Sequence, residues 1–403
     1  MNIAFCYENV LPARGGCETY IADLARRLVA DRHQVHLYAS RWDEKSLPKG
    51  MVFHAIPAMN GPRFLRPWRF GRACLKAMKK NVHDVTMGFD KTWGQDVLYP
   101  QGGLHVASAE HNLRKFRWGL SRLLVRGAKA FDLASASFRR LERRQYLGKT
   151  RSLVIVNSHM VRDHFRRFYP EVPRDEVFVV RSAIDPKRFP EIDRLKCREE
   201  FRKNWDIPSS SVVGLLAAMN YRLKGLDPLL HAVKRLLTRP EFVKNPPDFR
   251  LVVAGSLKNM SYRRQAARLG IDKHVVFVGH RDDMRTGYFA ADFLVHPTFY
   301  DPCSLVVLEA LACGLPVITT RYNGASELLH VGKDEKGSQE GYVIDDPHDH
   351  ERLATCMVEL LDSGRRNAFS QAARRTASRW TFEHHYRQLL NVFAAAMARK
   401  EAA

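Results

Sequence analysis

No stretch of this 403-residue chain reaches the roughly 18 uninterrupted apolar residues that a membrane-spanning helix requires. Its seven cysteines include no Cys-x2-Cys pair and lie scattered from Cys6 to Cys356. That pattern excludes the usual zinc frameworks and leads us to expect reduced thiols rather than a disulfide scaffold. The first apolar run begins at Asn2 with no basic stretch ahead of it, so no secretory leader is expected. A Gly-x-Gly-x-x-Gly fingerprint is missing, which counts against a nicotinamide enzyme. So is an Asp-x-Asp cluster, so no metal is expected at the site. Acidic side chains are also scarce, 43 against 65 Lys and Arg.

What is present is cationic and asymmetric. The net charge is +22, and residues 1–190 carry +17 of it, from 34 basic and 17 acidic side chains. Such an excess calls for an anionic partner on the first half, with nucleic acid, an acidic membrane and a phosphorylated glycolipid as candidates. Hydrophobic residues make up 45% and charged residues 27%, the balance of a globular protein with length for two domains.

Apolar strand-like runs alternate with helical patterns along the whole chain, the mark of parallel α/β layers. A first series is read at 2–7, 35–39, 82–87, 97–99, 153–157 and 177–181. A second is read at 212–217, 250–254, 275–278, 293–296 and 317–320. Two series give an α/β protein of two doubly wound, Rossmann-like domains, 1–185 and 186–379, with a ligand cleft at their strand C-terminal ends. The boundary is placed in a linker near 185–203. Residues 380–398 read as an amphipathic helix.

The densest signal is Phe299-Tyr300-Asp301-Pro302-Cys303-Ser304-Leu305-Val306-Val307-Leu308-Glu309-Ala310-Leu311-Ala312-Cys313-Gly314-Leu315-Pro316. Ser304 is an expected N-cap, Gly314 an expected helix stop, and Val317–Thr320 an expected strand. A helix N-terminus around Cys303, Ser304 and Leu305 suits a phosphate. Glu309 can accept two hydrogen bonds from a ribose diol, and Asp301 can do the same for a sugar ring. The alternative is a buried helix with a surface carboxylate at each end.

This segment resembles the Glu-x7-Glu donor motif of family 4 glycosyltransferases, whose fold is GT-B. The usual form is Glu-Pro/Gly-Phe-Gly-Leu-Val-Leu-Glu-Ala-Met-Ala-Cys-Gly-Leu-Pro-Val. Here Asp301 replaces the first Glu, one methylene shorter, and Cys303-Ser304 replaces Phe-Gly. The resemblance covers about 210–345 most firmly. It implies a retaining, metal-independent transfer from a nucleotide-sugar such as a UDP-sugar, by front-face attack assisted by the departing diphosphate. It implies that Gly15 and Gly16, after the first strand, approach the donor. It matches Lys224 to the Lys of Gly-Arg-x4-Lys-Gly, while Met219 stands at the usual Arg, so Arg222 must serve from another offset. His105, in Gln101-Gly102-Gly103-Leu104-His105, matches a Gly-Gly-x-His loop that touches the donor sugar. Asn323–Glu327 matches the Gly-Gly-x-x-Glu turn, and the C-terminal helix is expected to return to the first domain, which would bind the acceptor.

Two cationic segments remain. From 61 to 80 there are seven Lys or Arg and no acid, beside Phe64, Leu65, Trp68 and Phe70. From Arg114 to Lys149 there are eleven against two acids, interleaved with Phe116, Trp118, Leu120, Leu123, Leu124 and Phe131. Cations with Trp, Phe and Leu at helical spacing suit an anionic membrane surface; a core helix with a basic outer face is the alternative. Nucleic acid fits the charge but no recognition motif does. The reading is a cell-envelope enzyme of the lipopolysaccharide core glucosyltransferase kind, peripheral on the cytoplasmic face of the inner membrane and acting on a lipid-linked or phosphorylated glycan. Its rivals are a GT-B sugar-nucleotide epimerase and a non-catalytic nucleotide-sugar binding protein.

Overall fold

The structure, a computed structural model, describes residues 1–12, 15–58, 61–117, 123, 125, 127, 132–148, 151–185, 188–189, 194–242, 244–281, 283–330 and 339–402. Its chain falls into two compact units, Met1–Ser182 with Glu383–Ala403, and Ala183–Phe382.

In unit 1, strands β1 (Asn2–Cys6), β3 (Gln34–Ala39), β5 (Val52–Ala55), β6 (Val85–Phe89), β7 (Val97–Tyr99), β8 (Leu153–Val156) and β9 (Val177–Val179) form one sheet. The order is β5-β3-β1-β6-β7-β8-β9, and every pairing is parallel. A small parallel ribbon pairs β2 (Asn9–Val10) with β4 (Arg41–Trp42). The helices are α1 (Gly16–Ala30), α2 (Arg66–Met78), α3 (His105–His111), α4 (Leu133–Leu147) and α5 (His159–Phe168). Parallel strands covered on both faces must be apolar throughout, and Leu153-Val154-Ile155-Val156 is buried at every residue.

Unit 2 begins with α6 (Arg194–Asn204). Strands β10 (Val212–Ala218), β11 (Phe249–Gly255), β12 (Val275–Gly279), β13 (Phe293–His296), β14 (Val317–Thr320) and β15 (Gly341–Ile344) follow. Their order, β12-β11-β10-β13-β14-β15, is again fully parallel. Between and after them come α7 (Leu226–Leu237), α8 (Met260–Leu269), α9 (Arg285–Ala290), α10 (Leu305–Ala312), α11 (His350–Glu359) and α12 (Ser363–Arg379). Both units therefore have the doubly wound, GT-B type of α/β architecture, and each has a switch point where strand order reverses, at β1/β6 and at β10/β13.

Helix α13 (Phe382–Glu401) lies with unit 1. It buries Tyr386, Leu389, Val392 and Phe393. His385 sits between the Tyr20 hydroxyl (2.7 Å) and the Arg181 carbonyl (2.7 Å). Lys400 reaches the His83 carbonyl at 3.0 Å and Arg399 the Glu176 carboxylate at 3.1 Å.

Two expectations are corrected. Val82 is not in a strand; it is 88% exposed, and β6 starts at Val85, where burial begins. The stretch 194–203 is no linker but part of α6, because Arg202, 4% exposed, bonds the Asp292 carboxylate and the Ala290 carbonyl. Residues 186–187 and 190–193 lie outside the described residues. Cys6 and Cys74 lie side by side, brought together by β1 and α2 in the unit 1 core.

Candidate functional site

At the β10/β13 switch point of unit 2, two loops carry the chemistry. The first, after β10, turns through Asn220–Lys224 into α7, and Gly225 caps that helix with a left-handed φ of 77°. A Cβ on Gly225 would stand 2.0 Å from the Pro297 carbonyl oxygen, so only glycine lets this loop close on the second. The second runs from β13 through Pro297 to Ser304.

Closed together, the loops set Lys224 Nζ 2.5 Å from Asp301 Oδ2 and 3.4 Å from the Tyr300 carbonyl. His296, 1% exposed, points Nε2 at the same Asp301 oxygen (3.4 Å) and at Ser304 Oγ (3.5 Å). Burial alone would push the Asp301 carboxyl up. The Lys224 charge and the His296 bond outweigh it and hold the group below the usual carboxylate range. Burial lowers His296 despite Asp301 beside it, so the ring is neutral at pH 7. A neutral ring facing a carboxylate carries its proton on Nε2, and Nδ1 finds no partner among the described residues.

Ser304 sits at the N-cap of α10, but its side chain makes no cap bond. The expected cap fails because Oγ turns toward His296, while the Ser304 N–H donates to Asn323 Oδ1 at 3.2 Å. Asn323 also accepts from the Ala325 N–H (3.0 Å) and donates to Thr319 Oγ1 (3.0 Å), and its backbone bridges to Asp301. The turn after β14 thereby fixes the start of α10. Cys303 is buried under this turn, and Leu305 opens the helix. Gly314, at φ 68°, ends it.

Glu309 is half-buried on α10 and accepts a hydrogen bond from the Tyr288 hydroxyl at 2.6 Å. Burial, then the Glu309 charge, pushes the Tyr288 phenol well up, so it stays a donor. Arg222 is exposed, and its charge acts on Tyr262.

In unit 1, Gly15 and Gly16 form the N-cap and first residue of α1 beside the β1/β6 switch point. Next to them, Cys17 meets Tyr7 and Asp90; burial, then the Asp90 charge, pushes the Cys17 thiol up. Asp90 Oδ1 accepts the Gly102 N–H at 3.0 Å. His105 begins α3 rather than sitting in a loop. The reason is Glu142, 3% exposed, whose carboxylate takes the His105 N–H, the Val106 N–H (3.1 Å) and the Tyr169 hydroxyl (2.9 Å). His105 and Asp90 line one cavity of about 200 Å³ with Lys91, Gly103 and Gln145.

Helix α2 buries Phe70 and Cys74 in the unit 1 core and turns Arg66, Arg69, Arg72 and Lys76 outward. Its apolar face is thus spent on packing. Of the second cationic segment, Trp118, Leu120, Leu124 and Phe131 lie outside the described residues. Among the described residues, no helix is long and apolar enough to cross a membrane, and no cluster of three or more metal-ligating side chains occurs.

Sequence reasoning missed Tyr288, His296 and Glu142, and placed Asn323 in a turn without its hold on Ser304. Tyr288 and Glu142 stand 21 and 37 residues from the groups they hold, and no motif spacing connects them.

Comparison with known proteins gives two family matches. The model described as Glycosyltransferase Family 4 matches residues 14–188, and that described as Glycosyl transferases group 1 matches 210–363. The chain is 25% identical over 378 residues to the lipopolysaccharide glucosyltransferase WaaG of Escherichia coli, covering 94% of each. It is 26% identical over 408 residues to the D-inositol 3-phosphate glycosyltransferase of Salinispora tropica, covering 95% of this chain and 82% of that one. The crystal structure of WaaG superimposes with a TM-score of 0.75 at 23% identity, covering 93% and 95% of the two chains. That of Anabaena HepE in complex with UDP-glucose gives 0.69 at 18%, covering 98% and 100%.

Proposed function

The chain belongs to glycosyltransferase family 4, and from that premise we propose that it moves a sugar, with retention, from a nucleotide-sugar to a lipid-linked or phosphorylated glycan. The observation that carries this reading is the Lys224–Asp301–His296 cluster at the unit 2 switch point, with Glu309 one turn into α10. Anionic ligands gather at such a point, facing helix N-termini.

In this reading Glu309, oriented by Tyr288, takes the ribose hydroxyls. The Leu305 and Val306 N–H groups, with Cys303 and Ser304 shaping the turn, take a phosphate. The Ser304 N–H is already committed to Asn323, so the phosphate lies toward the second and third residues of the turn. Lys224 stabilises charge developing on the leaving diphosphate, and Arg222 meets it from the loop surface. Preorganised donors of this kind contribute about 3–4 kcal/mol each to transition-state stabilisation. Asp301 serves both the donor sugar and Lys224. A UDP-sugar is the proposed donor, since HepE is described in complex with UDP-glucose. Lysine and arginine do the work that a divalent metal does in other transferases.

Unit 1 takes the acceptor, with Gly15, Gly16 and His105 near the reacting sugar. The acceptor belongs to lipopolysaccharide core or related envelope synthesis, as the name of the E. coli relative suggests. The cationic outer face of α2, with the segment 111–149, holds the protein on an anionic membrane at the cytoplasmic side. Weakening of vesicle binding by salt tests that attachment.

The test is nucleotide release from UDP-, GDP- and ADP-sugars with and without membrane extract, in the presence and absence of EDTA. Acceptor-dependent, EDTA-insensitive release supports the reading. Acceptor-independent turnover points to an epimerase or hydrolase, and binding without turnover to a nucleotide-sugar binding protein. The anomeric configuration of the product, read by NMR, decides retention.

A further inference from the structure

Helices α2 and α4 of unit 1 flank an open groove of about 790 Å³ that the donor chemistry does not use. Two hydrogen bonds tie its walls. Trp68 Nε1 on α2 donates to Ser137 Oγ on α4 (3.0 Å), and that hydroxyl donates to the Phe64 carbonyl (2.9 Å). Behind Trp68 packs the buried Trp93, at 5.5 Å between ring centroids, with the Arg144 guanidinium 5.4 Å over Trp93. Gly71 admits this packing, since a Cβ there would stand 2.2 Å from the Trp93 ring.

Four arginines, Arg69, Arg72, Arg140 and Arg144, line the groove, and no carboxylate does among the described residues. Like charges gathered along one groove repel, and an anion relieves them. Guanidinium forks match the planar oxygen pairs of phosphate, and a phosphomonoester carries close to two charges. The rest of the lining is apolar, including Phe64, Leu65 and the 73% exposed Leu133. Inorganic phosphate would leave that surface wet, whereas the apolar part of an amphiphile would cover it. Helix α4 also links this groove to the His105 cavity. Ser137, Arg140 and Arg144 face the groove, whereas Leu141, Glu142 and Gln145 line the cavity.

We propose that the α2/α4 groove binds the phosphomonoester of an amphiphilic acceptor, phosphate on the arginines and its apolar neighbour on Trp68, Phe64 and Leu133. This deepens the acceptor reading of unit 1 and rests on it.

The experiment is calorimetric titration with octyl phosphate below its micellar concentration, against octyl sulfate, octyl glucoside, inorganic phosphate and phosphatidylglycerol vesicles. Octyl phosphate is expected to bind at least about tenfold tighter than each small competitor, one charge-assisted bond being worth that much. Arg72→Gln and Arg140→Gln, both at exposed positions, should each weaken it about tenfold. Melting curves of both variants check that the fold is kept. Equal affinity for octyl sulfate, octyl glucoside or inorganic phosphate overturns the proposal. So does octyl phosphate binding that is unchanged in both variants, whether or not their vesicle binding falls. UDP-glucose titration of the wild-type protein reports on unit 2 separately. Nucleotide-sugar binding without octyl phosphate binding overturns the groove alone, whereas the converse overturns the transferase reading and with it the ligand's assignment as an acceptor, leaving only an amphiphilic phosphomonoester site.

Discussion

Acidification should loosen the C-terminal helix through His385. Its Nδ1–H donates to the Arg181 carbonyl and its Nε2 accepts from the Tyr20 hydroxyl, each at 2.7 Å, so the folded protein holds the ring neutral. Burial pushes it down from 6.5 to about 4, against the Arg181 bond and with help from the His384 charge. A histidine whose folded value is lowered binds fewer protons folded than unfolded. Stability is therefore full above the unfolded value and drains away as pH falls from about 6.5 toward 4. At pH 5 the unfolded chain is almost fully protonated there and the folded chain is not. At 1.36 kcal/mol per pKa unit, the difference between pH 7.5 and 5 is about 2 kcal/mol. For a unit of this size that corresponds to a fall of about 4–8 °C in Tm. Other histidines titrate too, including His83, which burial also lowers to about 4. The comparison must therefore be wild type against His385→Gln, which keeps a donor but loses the titration. Calorimetric scans should show the gap between the two proteins narrowing by about 2 kcal/mol from pH 7.5 to 5. Parallel curves would refute the reasoning.

Gly225→Ala puts a methyl into the Pro297 carbonyl and strains a left-handed backbone. It should cost unit 2 more than about 1 kcal/mol in urea unfolding and weaken donor binding by displacing Lys224. Lys224→Ala should keep the fold but lower turnover about 10²–10³-fold; an unchanged rate removes Lys224 from the chemistry. Tyr288→Phe deletes one hydrogen bond to a carboxylate, worth about 1.5–3 kcal/mol, and should raise the KM for donor more than it lowers kcat. Asp301 has a depressed folded value, so its contribution to stability is present above about pH 4 and lost only below it. Unit 2 stability referable to Asp301→Asn should thus be flat from pH 5 to 8.

Much of this fold was readable because parallel strands buried on both faces must be continuous apolar runs. Phe293–His296 and Val317–Thr320 were read with their observed ends. Val82 misled because Val-His-Asp-Val looks like a strand start when burial is unknown. Strand β15, only Gly341–Ile344, escaped because its apolar run Tyr342-Val343-Ile344 is three residues long and led by a glycine. At the site, Asp301 and Glu309 were singled out because a local spacing sets them on one helix and the loop before it, and Lys224 from a separate motif in the loop after β10; the structure brings Lys224 to Asp301. The partners that orient them were not legible. Tyr288 reaches Glu309, and Asn323 reaches the first turn of α10, only after the sheet has folded. Ser304 shows the converse: its position was read correctly, but its side chain answers to His296 instead of the helix.

Unit 1 is assembled from two stretches of chain, whereas unit 2 is one continuous stretch between them. During synthesis, residues 183–382 can therefore collapse as soon as they emerge. The earlier segment must wait, its Tyr20 and Arg181 groups unmatched, until the last twenty or so residues exist to cover them. The first half to be made is the last to be finished, and truncation near residue 383 should harm the beginning of the protein more than its middle.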